Sequence, residues 1–198
     1  MISRLFFALV AFLFWSAGWF SAPVLAQSAV PGSAASENCA DARESGQYLI
    51  FADISNDKPK WKKFASQAEF EKYRETQATF SIAKVGMENG RVSSATYYVF
   101  FESGDHAKYV KHCFRSDGTL ASAVVEFRTF YGDYVLTDEL EFDTAGRKTR
   151  STRTLRDLAT NEPKVVQAEY ISELKHLIEG HVYKKVNCLP FAALLKKK

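Results

Sequence analysis

The sequence predicts an α+β fold: a six-stranded antiparallel meander sheet with one apolar face covered by a C-terminal helix, plus an N-terminal helix. Three observations lead there. Gly90, Gly104, Gly118, Gly132 and Gly146 follow one another at a constant interval of fourteen residues. The segments between them are rich in Val, Tyr, Phe and Thr, which suit a pleated, half-buried surface. Beyond the last segment, Val166, Tyr170, Ile171, Leu174, Leu177 and Ile178 form an apolar stripe at helical spacing that stops before Gly180.

At the start of the chain an apolar run over 5–20 follows Arg4, and small residues precede Gln27, the form of a secretory signal peptide over 1–26. An uncleaved anchor is the competing reading, since the run approaches the roughly 17 residues that span a bilayer, but Ser16, Gly18 and Pro23 weaken it. The expectation is a secreted or periplasmic chain beginning at Gln27, with no stable membrane span after cleavage. Residues 27–47 are small and polar and read as a flexible leader, 48–190 as a single sheet-plus-helix domain, and 191–198 as a basic tail.

The charges exclude one class. With 26 Lys+Arg against 23 Asp+Glu the formal charge is +3, without the basic excess of a dedicated nucleic-acid binder. Cys39, Cys113 and Cys188 allow one bridge and one spare thiol in an oxidising compartment. Cys39 with Cys188 is the favoured pair, because chain ends often lie close in a domain. There is no CxxC, and His106, His112, His176 and His181 show no zinc-ligand spacing with cysteine, so neither a metal nor another cofactor is expected.

Within the domain, 48–52 reads as a short strand and 58–61 as a loop. Ser66-Gln-Ala-Glu69 has the form of a capping box, opening a helix to about Thr76. Strands then follow near 78–88, 91–103, 106–116, 119–131, 134–143 and 147–156. The dipeptides Asn89-Gly90, Gly104-Asp105, Asp117-Gly118 and Gly132-Asp133, with Ala145-Gly146, read as two-residue hairpin turns, which demand the positive φ that Gly, Asn and Asp tolerate.

Turns of fixed length set the register. One cross-strand row becomes Phe80, Val99, Val110, Val125, Leu140 and Ser151. The next is Ile82, Tyr97, His112, Ala123, Phe142 and Thr149, and another is Ala78, Phe101, Lys108, Phe127, Asp138 and Arg153. The larger apolar side chains of successive strands share one face, which is the expected core. The other face collects Lys111, Cys113, Ser122, Glu126, Arg128, Glu139, Glu141 and Arg150, as where an antiparallel sheet meets water. Glu141 opposes Arg150 favourably, whereas Glu126 opposes Glu139 unfavourably. After the lid helix over 165–179, residues 181–188 read as a short returning strand. Residues 191–198 read as a frayed end or a weak membrane contact.

The candidate site residues are polar groups that this register turns inward: Tyr97 beside His112, and Asp138 beside Arg153 with Lys108 in the same row. Asp138 with Arg153 reads either as a structural ion pair or as a pair that orients a ligand between sheet and helix. No G-x-S-x-G elbow accompanies His112 and Asp138, and no catalytic constellation is found. Asp53 to Asp57 lacks the glycine and distal glutamate of a calcium loop and reads as a turn. The basic strand from Arg147 to Arg153, with Arg156, reads as an edge strand protected by charge. The expected function is therefore an exported, non-enzymatic protein that binds a small apolar or amphipathic ligand between sheet and helix. The alternative is a cell-envelope module that binds a protein through the outer face, where Tyr98, Phe100 and Tyr109 form an aromatic patch.

Overall fold

The computed structural model describes residues 48–196 apart from Asn56 and Glu102. The expected signal peptide, the leader and Cys39 lie outside the described residues. One antiparallel sheet runs through the described chain, with eight strands rather than six. They are β1 (Tyr48–Asp53), β2 (Trp61–Phe64), β3 (Ser81–Glu88), β4 (Arg91–Phe100), β5 (His106–Phe114), β6 (Leu120–Thr129), β7 (Tyr134–Phe142) and β8 (Lys148–Asp157). Their order in the sheet is β2-β1-β3-β4-β5-β6-β7-β8, so the last six form the expected meander. The strand at 48–52 is present as β1. The segment expected as a loop turns at Trp61 into the edge strand β2, which pairs Phe64 with Ile50 and Trp61 with Asp53.

Helix α1 (Gln67–Arg74) begins at the expected N-cap Ser66, with the returning Glu69 bond falling one residue earlier than in a full capping box. Ser66 Oγ accepts the Glu69 N–H at 3.1 Å, and Glu69 Oε2 accepts the Ala65 N–H at 2.7 Å. The C-terminal lid is not one helix. It divides at Leu174 into α2 (Ala168–Glu173) and α3 (Lys175–Ile178), and the expected stripe still packs together against Phe127, Tyr134 and Leu136. Gly180 and His181 follow with φ of 95° and 60°, which turn the chain away from both helix and strand. The expected strand over 181–188 is instead a single bridge from Lys185 to Thr119 and a 3-10 turn, Val186–Cys188. A last turn, α4 (Ala192–Leu195), ends the described chain.

Two hairpins keep the expected register up to a bulge beside each turn, at Cys113/Phe114 and at Glu141/Phe142, where Phe142 faces Lys148 rather than Thr149. Val110 faces Val125 and His112 faces Ala123 across β5 and β6; Asp138 faces Arg153 and Leu140 faces Ser151 across β7 and β8. Glu141 also faces Arg150, and their charged atoms lie 3.6 Å apart. Between β3 and β4 the Asn89-Gly90 turn forms with φ of 50° and 75°, but a bulge at Gly86/Met87 slips the pairing by one residue. A slip of one turns a strand over. Ile82 therefore faces Tyr98 rather than Tyr97 and leaves the expected core row, while Ala83 and Val85 take the inner positions.

The other two differences arise from longer loops. Residues 101–105 join β4 to β5, so Val99 faces Lys108 rather than Val110. Residues 130–133 join β6 to β7, so Val125 faces Asp138 rather than Leu140. Both are shifts of two residues, which preserve the face of every side chain. The second shift also removes the Glu126–Glu139 clash: Glu126 faces Thr137 and accepts from Arg128 Nε at 2.6 Å. Gly132 serves space rather than φ here, since a Cβ would lie within 2.6–2.8 Å of the Tyr134 and Tyr170 rings.

The sheet is covered on both faces. Over the inner face, α2 and α3 cover the β6–β8 end, while residues 182–195 cover Phe51, Val85, Tyr97, Val110 and Val125. Phe191 sits at the centre of that cover, stacked on Phe51 with ring centroids 4.3 Å apart and only 1 % exposed. A frayed end at Phe191 is thereby overturned, because its ring fills the space between β1, β2 and β4. On the outer face α1 packs Phe70 onto Ile50, Ala52, Phe64 and Ile82. The free edge of β8 carries Arg147, Arg150 and Arg156 as expected, and residues 162–164 fold back along it through the Asp157 N–H to Glu162 and Lys164 N–H to Leu155 hydrogen bonds. Among the described residues, no helix is long and apolar enough to cross a membrane.

Candidate functional site

Strand alternation places Lys108 and His112, four residues apart on β5, on the same inner face. Both are used to hold the C-terminal cover. Lys108 is 1 % exposed, and its ammonium donates to the carbonyls of Leu177, Glu179 and Gly180 at 3.2, 3.0 and 3.0 Å. Those carbonyls are orphans at the end of α3 that an ammonium can satisfy with its three donors. Burial pulls the Lys108 pKa down to about 8.

His112 acts one step further along the same segment. Nδ1 lies 3.1 Å from the Ala95 carbonyl, while Nε2 lies 2.9 Å from the His181 carbonyl and 3.1 Å from the Tyr183 nitrogen. The neutral ring with its hydrogen on Nδ1 donates to Ala95 and accepts the Tyr183 N–H. Burial holds the pKa at about 4, well below the ordinary histidine range. A base committed to the main chain through both nitrogens is a latch for the cover rather than a proton shuttle.

Tyr97 lies beside His112 as expected, with ring centroids 5.5 Å apart. It is 1 % exposed and packs on Phe191 and Tyr183. Its hydroxyl and Trp61 Nε1 are buried without hydrogen-bond partners among the described residues. The inward placement of Tyr97 and His112 was legible, whereas their expected position at a ligand is not what the packing gives: aromatic rings of the C-terminal cover occupy that place.

Asp138 and Arg153 do meet, as the hairpin register requires. The guanidinium is bidentate, with Nε and Nη2 each 2.6 Å from a carboxylate oxygen. The carboxylate is largely buried and the guanidinium about half exposed, so one side of Arg153 faces outward. There it borders a groove of about 340 Å³ between β8 and the lid helices, lined also by Ala168, Ile171, Ser172, Lys175, Ile178 and Glu179. Tyr97 and His112 do not border this groove. Ser172 and Lys175 were not legible in the sequence, because polar residues beside an apolar stripe read as the solvated face of a helix. Positions 172, 175 and 179 follow beside it at helical spacing and carry the groove's polar side.

On the outer face, the expected aromatic patch is present in part. Tyr98 and Tyr109 meet edge to face at 5.3 Å, Arg128 lies over Tyr109, and Phe100 is 46 % exposed. These rings border a second groove of about 290 Å³ beside α1, with Phe70, Arg74 and Lys84. Asp53 closes the turn between β1 and β2 by accepting the Lys60 N–H at 2.7 Å. Among the described residues, no group of three or more His, Cys, Asp or Glu side chains converges as metal ligands would.

The cysteines differ from expectation. Cys188 is a free, exposed thiol whose nearest polar partner is Asn187 Oδ1 at 3.5 Å, which overturns the pairing of Cys39 with Cys188. Cys113, on the opposite face of the sheet from the C-terminal cover, is the cysteine in a disulfide state. Compared with models of protein families, with curated proteins and with solved structures, the chain matches none.

Proposed function

We propose that this chain is an exported, non-enzymatic binding protein that takes an amphipathic anionic ligand in the groove between β8 and the α2–α3 lid. The observation that carries the reading is the pairing of chemistries there. Arg153 and Ser172 offer donors to a carboxylate or phosphate, Lys175 adds an ammonium that is ion-paired with Glu179 of the same groove at 3.7 Å, and Ala168, Ile171 and Ile178 offer an apolar wall. Its volume lies at the lower end of the roughly 300–1,000 Å³ typical of small-molecule sites. Asp138 holds Arg153 in place from behind and leaves its outer side for a ligand. Export is supported by the apolar run over 5–20 and the small residues before Gln27.

Isothermal titration with dodecanoate tests the reading. Saturable binding that weakens at least tenfold in Arg153→Met and in Lys175→Met, with both variants folded by Trp61 fluorescence, is the expected result. No saturation, or unchanged affinity in both variants, refutes it. A second reading, protein binding through the outer face, rests on the exposed Phe100 ring and the groove beside Tyr98 and Tyr109. It predicts that Phe100→Ser abolishes capture of a protein partner while leaving dodecanoate titration unchanged.

A further inference from the structure

We infer that the partner of Cys113 is Cys39, and that this bridge ties the N-terminal segment across the outer face of the sheet. The chain has three cysteines. Cys188 is free, and it belongs to the C-terminal cover on the inner side, whereas Cys113 alternates outward between His112 and Phe114. A strand's thickness thus separates those two sulfurs, which leaves Cys39, the remaining cysteine of the sequence, as the partner.

The register makes the span easy. Tyr48, the first residue of β1, faces Gly86; Gly86 faces Ser94; and Ser94 faces Cys113. All four lie in one cross-strand row, and Tyr48 belongs to the same outer face as Ile50 and Ala52. From β1 to β5 there are three strand spacings, about 14 Å. Cys39 stands nine residues before Tyr48, and nine extended residues reach about 30 Å. The segment can therefore cross β3 and β4 with slack and still bring its cysteine within the roughly 4–7 Å Cα separation a disulfide needs.

The bond forms by thiol–disulfide exchange. The two thiols lose two protons and two electrons to an external protein disulfide, which is reduced to a dithiol, and a new S–S bond joins Cys39 to Cys113. Such a bridge persists in an oxidising compartment, so it gives the exported chain a fastening that an unexported chain lacks. The inference is independent of the groove beside Arg153.

Alkylation of the native protein followed by tryptic mapping without reductant tests it. The expected result is a linked pair formed by the peptide ending at Arg43 and the peptide 112–115, two hydrogens lighter than their sum, with Cys188 alkylated. Cys39→Ser and Cys113→Ser should lower the urea midpoint by equal amounts, the double variant should lower it no further, and Cys188→Ser should leave it unchanged. Alkylation of Cys113 in the native protein, a Cys113 link to Cys188 or to a second copy, or unequal midpoint losses would overturn it.

Discussion

Acidification should loosen this fold through His112 before its carboxylates matter. The folded-state pKa is held at about 4 by burial, below the value near 6.5 of an exposed histidine. As pH falls through 6.5 the unfolded chain takes a proton that the folded chain refuses, so stability is lost down to pH 4 and no further from this group. Two and a half pKa units correspond to about 3 kcal/mol, a large share of the 5–15 kcal/mol of a typical domain. His181, whose pKa is also lowered by burial and by the Lys108 charge, adds in the same direction. Asp117, Asp143 and Asp157 are held below the ordinary carboxylate range by hydrogen bonds, so their contribution is lost only below that range and lies outside the window.

Urea denaturation at steps from pH 7 to pH 4 reads this directly. Trp61 is the only tryptophan after residue 26 and lies 5.1 Å from the Phe191 ring, so its fluorescence reports detachment of the C-terminal cover. His112→Gln should be less stable at pH 7 but should lose most of the slope between pH 6.5 and 4, retaining the part due to His181. Parallel slopes in the two proteins would refute the assignment of the buried neutral state to His112.

Phe191→Ala should cost about 3–5 kcal/mol in urea denaturation, because it empties a buried aromatic site; a neutral result would mean that the terminal turn does not pack on the sheet. Lys108→Met leaves three carbonyls without their donor and should cost about 2 kcal/mol, read from the same urea midpoint, with no loss as the contrary result. Tyr97→Phe removes a buried hydroxyl that has no partner while keeping the ring stacks. It should be neutral or stabilising by up to about 1 kcal/mol, and a loss of stability would show that the hydroxyl is bonded in solution. A double-mutant cycle on Asp138 and Arg153 should give a coupling of about 1 kcal/mol, reduced from the buried-pair range because the guanidinium is half exposed. Zero coupling would contradict the bidentate pair.

Local chemistry carried much of this fold into view. The glycine interval and the Val, Tyr, Phe and Thr content located six of the eight strands, because hairpin turns and pleated surfaces are specified by residues close in sequence. The capping box at Ser66 and the apolar stripe from Val166 to Ile178 were legible for the same reason. The face of most side chains in β4 to β8 also survived, even where loops were two residues longer than expected, since a shift of two preserves alternation; bulges at Cys113/Phe114 and Glu141/Phe142 are the exceptions, the first turning Leu120 into the core. What alternation could not anticipate was the bulge at Gly86/Met87, whose single extra residue reversed β3 and sent Ile82 to the outer face. Tertiary structure alone decided which inward polar groups meet a ligand groove and which meet the main chain. Lys108 holds carbonyls 69 to 72 residues away, His112 accepts a backbone N–H 71 residues away, and Phe191 returns from the chain's end to stack on Phe51. Such contacts depend on how the C-terminal segment crosses the sheet, and no periodicity within a strand or a helix records that crossing.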